Sequence, residues 1–174
     1  MKSLERKIEL GDAKAEVEGH RIKLTGAKGT VEKRIMDKSI KISKKDNTIV
    51  ITAIKPNRNC KRMMETTKAH IKNMIKGVKE GYEYRLKICS THFPINVSVS
   101  GKEVTIKNFL GEKSPRVCRI KEDVNVKLDK DVLILNGIDK EKVGQAAADL
   151  EQATRISNRD RRIFMDGIYI IAKG

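Results

Sequence analysis

Four arginines lie within eight residues near the end of the chain, at Arg155, Arg159, Arg161 and Arg162. A guanidinium presents parallel N–H donors that match two oxygens of a phosphate or the edge of a base. The only acidic residue among the four is Asp160, so their charges repel one another unless an anion lies between them. The cluster favours a polyanion such as RNA as its partner, against the simpler interpretation of a solvated turn.

A second basic segment follows Leu110 and carries Lys113, Arg116 and Arg119. This segment follows a Gly-containing loop between two predicted strands, whereas the arginine cluster follows a predicted helix. We expect both segments to lie at one end of the sheet in the C-terminal half. Together they would form one continuous basic surface.

Composition limits the class of partner. The 174 residues carry a net charge of +15, with a sequence pI near 9.8, which indicates a polyanion as partner. No apolar run approaches the roughly 18–20 residues of a membrane span, and the first residues lack the apolar core of a secretory signal. Aromatic residues make up 3% and Trp is absent, which argues against stacking of single-stranded bases. Structured RNA, recognised by phosphate, sugar and shape, fits best.

The sequence offers little for catalysis or for a cofactor. Cys60, Cys89 and Cys118 are odd in number and lack the spacing of a zinc site. We interpret them as reduced thiols of a cytosolic protein. The three histidines are isolated from one another, and neither a nucleophile elbow nor a phosphate-binding glycine loop is present. We therefore expect no enzyme activity, no cofactor, no metal and no small-molecule substrate.

The elements that would position these residues occur twice along the chain. Val17–Leu24 and Val99–Ile106 each have the pattern of a strand, a Gly-containing turn and another strand, and a second hairpin follows in each half. Alternating apolar and polar residues indicate sheets with one buried face. Apolar residues at helical spacing then predict one helix per half. A closing strand is predicted after each helix, at Tyr82–Cys89 and at Phe164–Ala172.

This repetition predicts an α+β fold with two similar tandem domains, each a mostly antiparallel sheet with one helix packed on a face. We place the N-terminal domain at residues 1–89 and the C-terminal domain at residues 90–174, with the boundary in Ser90–Pro94. Residues 1–80 carry 21 basic and 10 acidic residues, a net +11, and residues 81–174 carry 17 and 13, a net +4. The first half thus has more diffuse charge, which can steer a polyanion, while the second has the arginine cluster.

Several sequence blocks resemble one ribosomal protein family. The matched positions are Gln152, Ile156, Arg159, Arg162, Phe164, Asp166, Gly167, Tyr169 and Lys173, preceded by the blocks Ala69–Val78, His92–Val97 and Asn108–Lys113. The blocks occur in the order found in that family and span residues 69 to 173. The chain therefore resembles the archaeal and eukaryotic form of the sixth protein of the large ribosomal subunit.

Lys28 lies in the loop Gly26-Ala27-Lys28-Gly29 of the first half. The loop is superficially similar to the glycine loop of a KH domain, but that loop joins two helices and this one joins strands. We interpret it as a tight turn and count Lys28 among the candidate RNA contacts. Members of the ribosomal family usually have Gly-Pro-Lys-Gly here, so Ala27 departs from the pattern. Met165 likewise stands where Gln is more common.

The resemblance implies a cytoplasmic structural protein of the large subunit. Its C-terminal domain would bind large-subunit rRNA near the sarcin–ricin loop, beside neighbouring ribosomal proteins and the site of the translation factors. The basic residues of the two segments named above would bridge phosphates, and Ser114 would donate its hydroxyl to a phosphate or a 2′-OH. Two alternatives remain open: a free-standing adaptor that binds acidic proteins through its basic face, and an RNA chaperone outside the ribosome.

Overall fold

Strands and helices follow nearly the same order twice along the chain. Contacts divide it into two units, Met1–Gly81 and Tyr82–Gly174. The computed structural model describes residues 4–35, 39–54, 57–121, 123–160 and 162–174. Each unit combines antiparallel strands with one long helix, which confirms the predicted α+β class with two similar tandem domains.

In the N-terminal unit, two small sheets and one helix surround the core. The elements are β1 (Glu5–Glu9), β2 (Lys14–Glu18), β3 (Arg21–Gly26), β4 (Gly29–Arg34), β5 (Ile40–Lys45), β6 (Thr48–Ala53) and α1 (Arg58–Lys79). The sheet orders are β1-β6-β5 and β2-β3-β4, with antiparallel pairing in both. Helix α1 contacts strands of both sheets.

The C-terminal unit repeats this plan and adds one strand. Its elements are β7 (Tyr82–Cys89), β8 (Asn96–Ser100), β9 (Glu103–Lys107), a 3-10 turn (Phe109–Gly111), β10 (Arg116–Arg119), β11 (Val124–Asp129), β12 (Val132–Gly137), α2 (Lys140–Ala153) and β13 (Gly167–Lys173). The sheet orders are β10-β9-β8 and β11-β12-β7-β13. Thus the strands of each unit divide between two sheets, where the sequence predicted one.

Two strand predictions need correction. The strand Tyr82–Cys89 does not close the first unit, because β7 pairs with β12 on one side and with β13 on the other. It occupies the place that β1 holds beside β6, so it opens the second unit and moves the boundary from residues 90–94 to Gly81. The last strand begins at Gly167 instead of Phe164, because Asp166 is held inside the loop that precedes it.

Short-range signals set the helix ends. The side chain of Asn57 accepts a hydrogen bond from the Cys60 N–H at 2.7 Å at the start of α1, and Asp139 accepts one from the Glu141 N–H at 2.9 Å at the start of α2. Gly81 follows α1 with a φ of 78°, a left-handed conformation that glycine adopts without strain. Within the described residues, neither helix combines the length and the apolar composition needed to cross a bilayer.

Alternation along the strands decides what each sheet buries. Ile22 and Leu24 on β3 are fully buried, and so is Val104 on β9, with polar residues between them facing outward. Helix α2 covers the equivalent core of the C-terminal unit with a narrow stripe of buried residues, at Val143, Ala146, Ala147 and Leu150. Because α2 is packed against β7, β12 and β13, its C-terminal end is fixed on the sheet.

Candidate nucleic-acid interface

Three connections of the C-terminal unit converge at one place. They are the β7–β8 connection, the β9–β10 connection and the α2–β13 connection, and we call them together the loop surface. The Asn108 side chain donates to the Pro94 carbonyl at 3.0 Å, which joins the first two. Arg116 Nη1, at the start of β10, donates at 2.6 Å to the carbonyl of Ala153, the last residue of α2, which brings the second and third connections close together. The continuous basic surface predicted from the two basic segments stays a prediction.

Asp166 holds the third connection to the first. The residue has no exposed surface, and its Oδ1 accepts hydrogen bonds from the N–H groups of Thr91 at 2.6 Å and His92 at 2.9 Å. Its Oδ2 lies 2.8 Å from Nδ1 of His92. Burial alone would raise the pKa of Asp166, but the hydrogen bonds from His92 and Thr91 outweigh it and lower the pKa from its ordinary value. The buried carboxylate thus accepts three hydrogen bonds from the β7–β8 connection.

An aromatic stack continues from this carboxylate to the arginine cluster. The His92 ring stacks on Phe164 with 4.6 Å between centroids. The Arg159 guanidinium lies 4.8 Å from the centroid of the same Phe164 ring. At this distance the positive charge is attracted to the face of the aromatic ring, which holds Arg159 beside Phe164. Among the residues that the structure describes, no carboxylate forms an ion pair with Arg159.

Arg116 is engaged inside the loop surface. Its Nε donates to Glu112 Oε2 at 2.8 Å and its Nη2 donates to Glu112 Oε1 at 2.5 Å. Its Nη1 donates to the Ala153 carbonyl. The guanidinium also lies 4.4 Å from the centroid of the Phe109 ring. The hydrogen bond from Arg116 lowers the pKa of Glu112. This fork geometry lets Arg116 position the β9–β10 connection, and its phosphate-bridging role stays a prediction.

The backbone next to Arg116 is held in an uncommon shape. Asn108 and Leu110 have positive φ angles of 59° and 50°, and Gly111 follows with 80°. Asn tolerates this left-handed region, but a side chain such as that of Leu110 adopts it at a cost of about 1–2 kcal/mol. Gly111 packs against Phe93, since an added Cβ would lie 3.5 Å from that ring. The surrounding contacts therefore fix the conformation of this connection.

Besides Arg159 and Arg162, three more of the predicted RNA contacts are exposed on the loop surface. Lys113 and Ser114 lie in the β9–β10 connection, and Arg155 follows α2. Arg155 borders a shallow cavity of about 220 Å³ whose other lining residues are Glu151, Gln152, Thr154 and Tyr169. The cavity is large enough to admit a phosphate or part of a nucleotide.

The remaining arginines of the cluster differ in state. Arg162 is 90% exposed, and its Nη2 lies 3.0 Å from Asp160 Oδ2. Hydrogen bonds from the Arg162 side chain and backbone lower the pKa of Asp160. Arg161 lies outside the described residues. Arg162 can thus turn to a phosphate only if it leaves Asp160 or shares its donors.

Two predicted contacts lie elsewhere. Arg119 is on the face of β10 opposite to Arg116, as expected for residues three apart on a strand, and its Nε donates to Glu103 on β9 at 3.0 Å. Lys28 belongs to the other unit, where its N–H donates to the Val78 carbonyl at 3.0 Å and its Nζ donates to the Glu80 carbonyl. The interpretation of the Lys28 loop as a tight turn between β3 and β4 is confirmed.

Sequence reasoning missed the residues that organise this surface. Neither Asp166 nor His92 belongs to the basic segments that the sequence singles out. The two residues are 74 positions apart, so no local pattern connects them. Within the described part of the chain, no group of three His, Cys, Asp or Glu side chains is arranged to hold a metal ion.

Both units match one known family. A family model described as ribosomal protein L6 matches residues 11–81 and 93–167. The chain belongs to this family. The two matched segments follow the division of the structure into two units, and the membership confirms the resemblance seen in the sequence. It also confirms that the chain is not an enzyme.

Archaeal relatives match over almost the whole length. A protein of Methanothrix thermoacetophila is 41% identical over 97% of this chain and 96% of its own length. One from Desulfurococcus amylolyticus is 44% identical over 97% of this chain and 94% of its own length. One from Ignicoccus hospitalis is 45% identical over 91% of this chain and 88% of its own length. Each of these relatives is named large ribosomal subunit protein uL6. The similarity thus extends over both units and includes the loop surface.

Proposed function

We propose that this chain is a structural constituent of the large ribosomal subunit, in the ribosomes of the cytoplasm, and binds large-subunit rRNA through the loop surface. The observation that carries the proposal is the convergence of three connections that display Lys113, Arg155 and Arg159 around internally bonded Arg116 and Asp166. Membership of the ribosomal protein L6 family supports the same assignment.

The two kinds of basic residue have different tasks. Arg155, Arg159 and Lys113 point donors at phosphates of folded rRNA, and the Ser114 hydroxyl donates to a phosphate or a 2′-OH. Arg116 and Asp166 hold the loops in place before RNA arrives. Such preorganisation lowers the conformational entropy lost on binding, so more of the contact energy appears as affinity.

The finer location rests on the resemblance in sequence. The proposed RNA site is near the sarcin–ricin loop, beside the site of the translation factors. Large apolar side chains next to the arginine cluster support a contact with a neighbouring protein at the same place: Phe93 is 42% exposed, Ile163 61% and Met165 55%. Exposed apolar groups that are rimmed by charges are typical of protein interfaces.

Sedimentation tests the proposal. A tagged chain is expressed in an archaeal or yeast host, and lysate is run through a sucrose gradient before and after a high-salt wash. We expect stoichiometric recovery in large subunits, and a loss of that recovery for the double variant Arg155→Gln/Arg159→Gln. The matched control, Lys41→Gln/Lys44→Gln, removes two exposed charges from β5 of the other unit and should sediment as wild type.

Each other outcome selects a different function. A chain that stays at the top of the gradient would support the adaptor, and substoichiometric binding across many RNAs would support the chaperone. The location is tested separately by placing an iron chelate on a Ser114→Cys variant in which Cys60, Cys89 and Cys118 are replaced by Ala, and mapping hydroxyl-radical cleavage of the rRNA. Cleavage away from the sarcin–ricin loop would refute the location and leave ribosomal incorporation standing.

A further inference from the structure

Helix α1 of the N-terminal unit carries a long basic stripe that the loop surface does not explain. The helix has 22 residues, which corresponds to a length of about 33 Å. Seven of its residues are basic, at Arg58, Lys61, Arg62, Lys68, Lys72, Lys76 and Lys79. Successive members of the stripe are three, one, six, four, four and three residues apart, which places all seven on one side of the helix. The opposite side is buried, at Met64, Thr67, Ile71, Met74 and Val78.

The acidic residue within α1 does not balance this stripe. Glu65 lies 2.7 Å from Arg6 Nε on β1 and 4.0 Å from Lys68 Nζ. The hydrogen bond from Arg6 lowers the pKa of Glu65, so its charge is already shared with a residue outside the helix. Lys61 and Lys68 also lie close enough to Glu65 to lower its pKa. Among the described residues, Arg58, Arg62, Lys72 and Lys79 form no ion pair with a carboxylate.

The charge pattern of α1 works against the stability of the helix. Arg58 lies in the first turn, which contains no acidic residue, although the positive end of the helix dipole favours acidic side chains there. Arg58 and Arg62, like Lys68 and Lys72, repel each other at a spacing of four residues. The buried face supplies the stability that this pattern removes. A stripe that costs stability is better explained by a partner than by solubility.

We propose that the outer face of α1 is a second RNA-binding surface, which takes the phosphate backbone of a double-stranded RNA segment. The stripe fits RNA better than an acidic protein because, among the described residues, no large exposed apolar side chain lies on α1. Protein interfaces usually have such an anchor, whereas backbone recognition of a duplex needs only cations and polar groups. The outer face also lacks an aromatic side chain, which single-stranded bases would need for stacking.

Position along the helix supports a rigid duplex. Arg58, Lys61 and Arg62 form one group and Lys72, Lys76 and Lys79 another. Between them lie the Glu65–Lys68 pair and the small exposed side chains of Thr66 and Ala69. This site belongs to a different unit from the loop surface. It goes beyond the proposed function and does not depend on binding by Arg155 or Arg159.

The test measures the affinity of the full-length chain for a fluorescent RNA duplex of 16 base pairs, by anisotropy at several salt concentrations. The α1 variant carries Arg58→Gln, Arg62→Gln, Lys72→Gln and Lys79→Gln. The control variant removes four exposed lysines from strands of the same unit, with Lys14→Gln, Lys41→Gln, Lys44→Gln and Lys45→Gln, and so has the same net charge. Circular dichroism verifies that both remain folded, as expected for exposed substitutions.

Log affinity falls as log salt rises, and we expect this dependence to be shallower in the α1 variant. The magnitude of the slope should decrease by about three to four, at about 0.9 per lost phosphate contact. Affinity near 0.1 M salt should fall roughly 100-fold, while the control changes the slope by at most about one. Equal slopes for the α1 variant and the control would overturn the proposal. So would an α1 variant that binds the duplex as wild type does but no longer binds poly-L-glutamate.

The same duplex assay on Arg155→Gln/Arg159→Gln separates this site from the loop surface. If α1 binds independently, the slope change of the α1 variant persists when the two sets of substitutions are combined. If the loop surface alone binds RNA, the α1 substitutions have no further effect in that combined variant, and the α1 site is refuted. Failure of the proposed ribosomal role would show in sedimentation instead.

Discussion

Replacement of Asp166 by Ala should destabilise the C-terminal unit more than any exposed substitution on the loop surface. Three donors lose their acceptor: the N–H groups of Thr91 and His92 and the His92 ring. A hydrogen bond to a charged group contributes about 1.5–3 kcal/mol, and such terms are not additive. We therefore expect a loss of about 3–5 kcal/mol. Asp166→Asn keeps an oxygen for the two backbone donors and should cost about 1–2 kcal/mol.

Tyrosine fluorescence can measure this loss in the full-length chain. The chain has no Trp, and its three tyrosines, Tyr82, Tyr84 and Tyr169, all lie in the C-terminal unit. Urea unfolding followed by tyrosine emission thus reports that unit, while circular dichroism reports both. With a denaturant slope of about 1.5 kcal/mol per molar urea, Asp166→Ala should lower the fluorescence midpoint by about 2–3 M.

The matched control is Asp160→Ala, which removes an exposed carboxylate from the same connection. Its midpoint should stay close to that of the wild-type chain. If Asp166→Ala and Asp160→Ala give the same midpoint, the buried carboxylate does not hold the loops, and the account of the loop surface fails. A shift confined to the circular dichroism signal would have the same meaning, since it would arise in the N-terminal unit.

Three further changes test other parts of the structure. Gly26→Ala puts a Cβ 2.8 Å from Val78 Cγ2, so the circular dichroism midpoint should correspond to a loss of about 1–3 kcal/mol while the tyrosine transition is unchanged. Arg116→Lys keeps the charge and loses the fork, so trypsin should cleave after Lys113 about tenfold faster. The pKa of Asp166 is lowered on folding, so its contribution is complete above its ordinary pKa near 4 and disappears as pH falls through the lowered value. Asp166→Asn should therefore flatten the stability profile below about pH 5.

Local patterns predicted the elements of this chain well. The hairpins followed from alternation, and the cap at Asp139 and the stop at Gly81 were visible in the sequence because each acts within a few residues. The sequence did not show which unit β7 belongs to, since an apolar strand after a helix can pair with either neighbouring sheet. Its partners β12 and β13 lie some 45 and 80 residues further along the chain, and only packing decides between the alternatives.

In the candidate site, too, local features were predictable from the sequence and long-range contacts were not. Clustering of Arg155, Arg159 and Arg162 is a property of sequence and pointed to the surface directly. The task of Arg116 is set by the Ala153 carbonyl, 37 residues away, and by a carboxylate four residues before it. Sequence reasoning counted guanidinium groups, and the structure shows which of them is already occupied.

The sheets β1-β6-β5 and β11-β12-β7-β13 end differently on the side of β1 and β7. In the C-terminal unit β13 covers the free side of β7, and a register shift between Ile170 and Ala172 bends the new outer strand. In the N-terminal unit β1 stays at the edge, and four of its five residues are charged. Charged and bent edge strands resist pairing with the edge of another molecule. A newly made copy that has not yet met its partner is thereby protected from aggregation at the β1 and β13 edges.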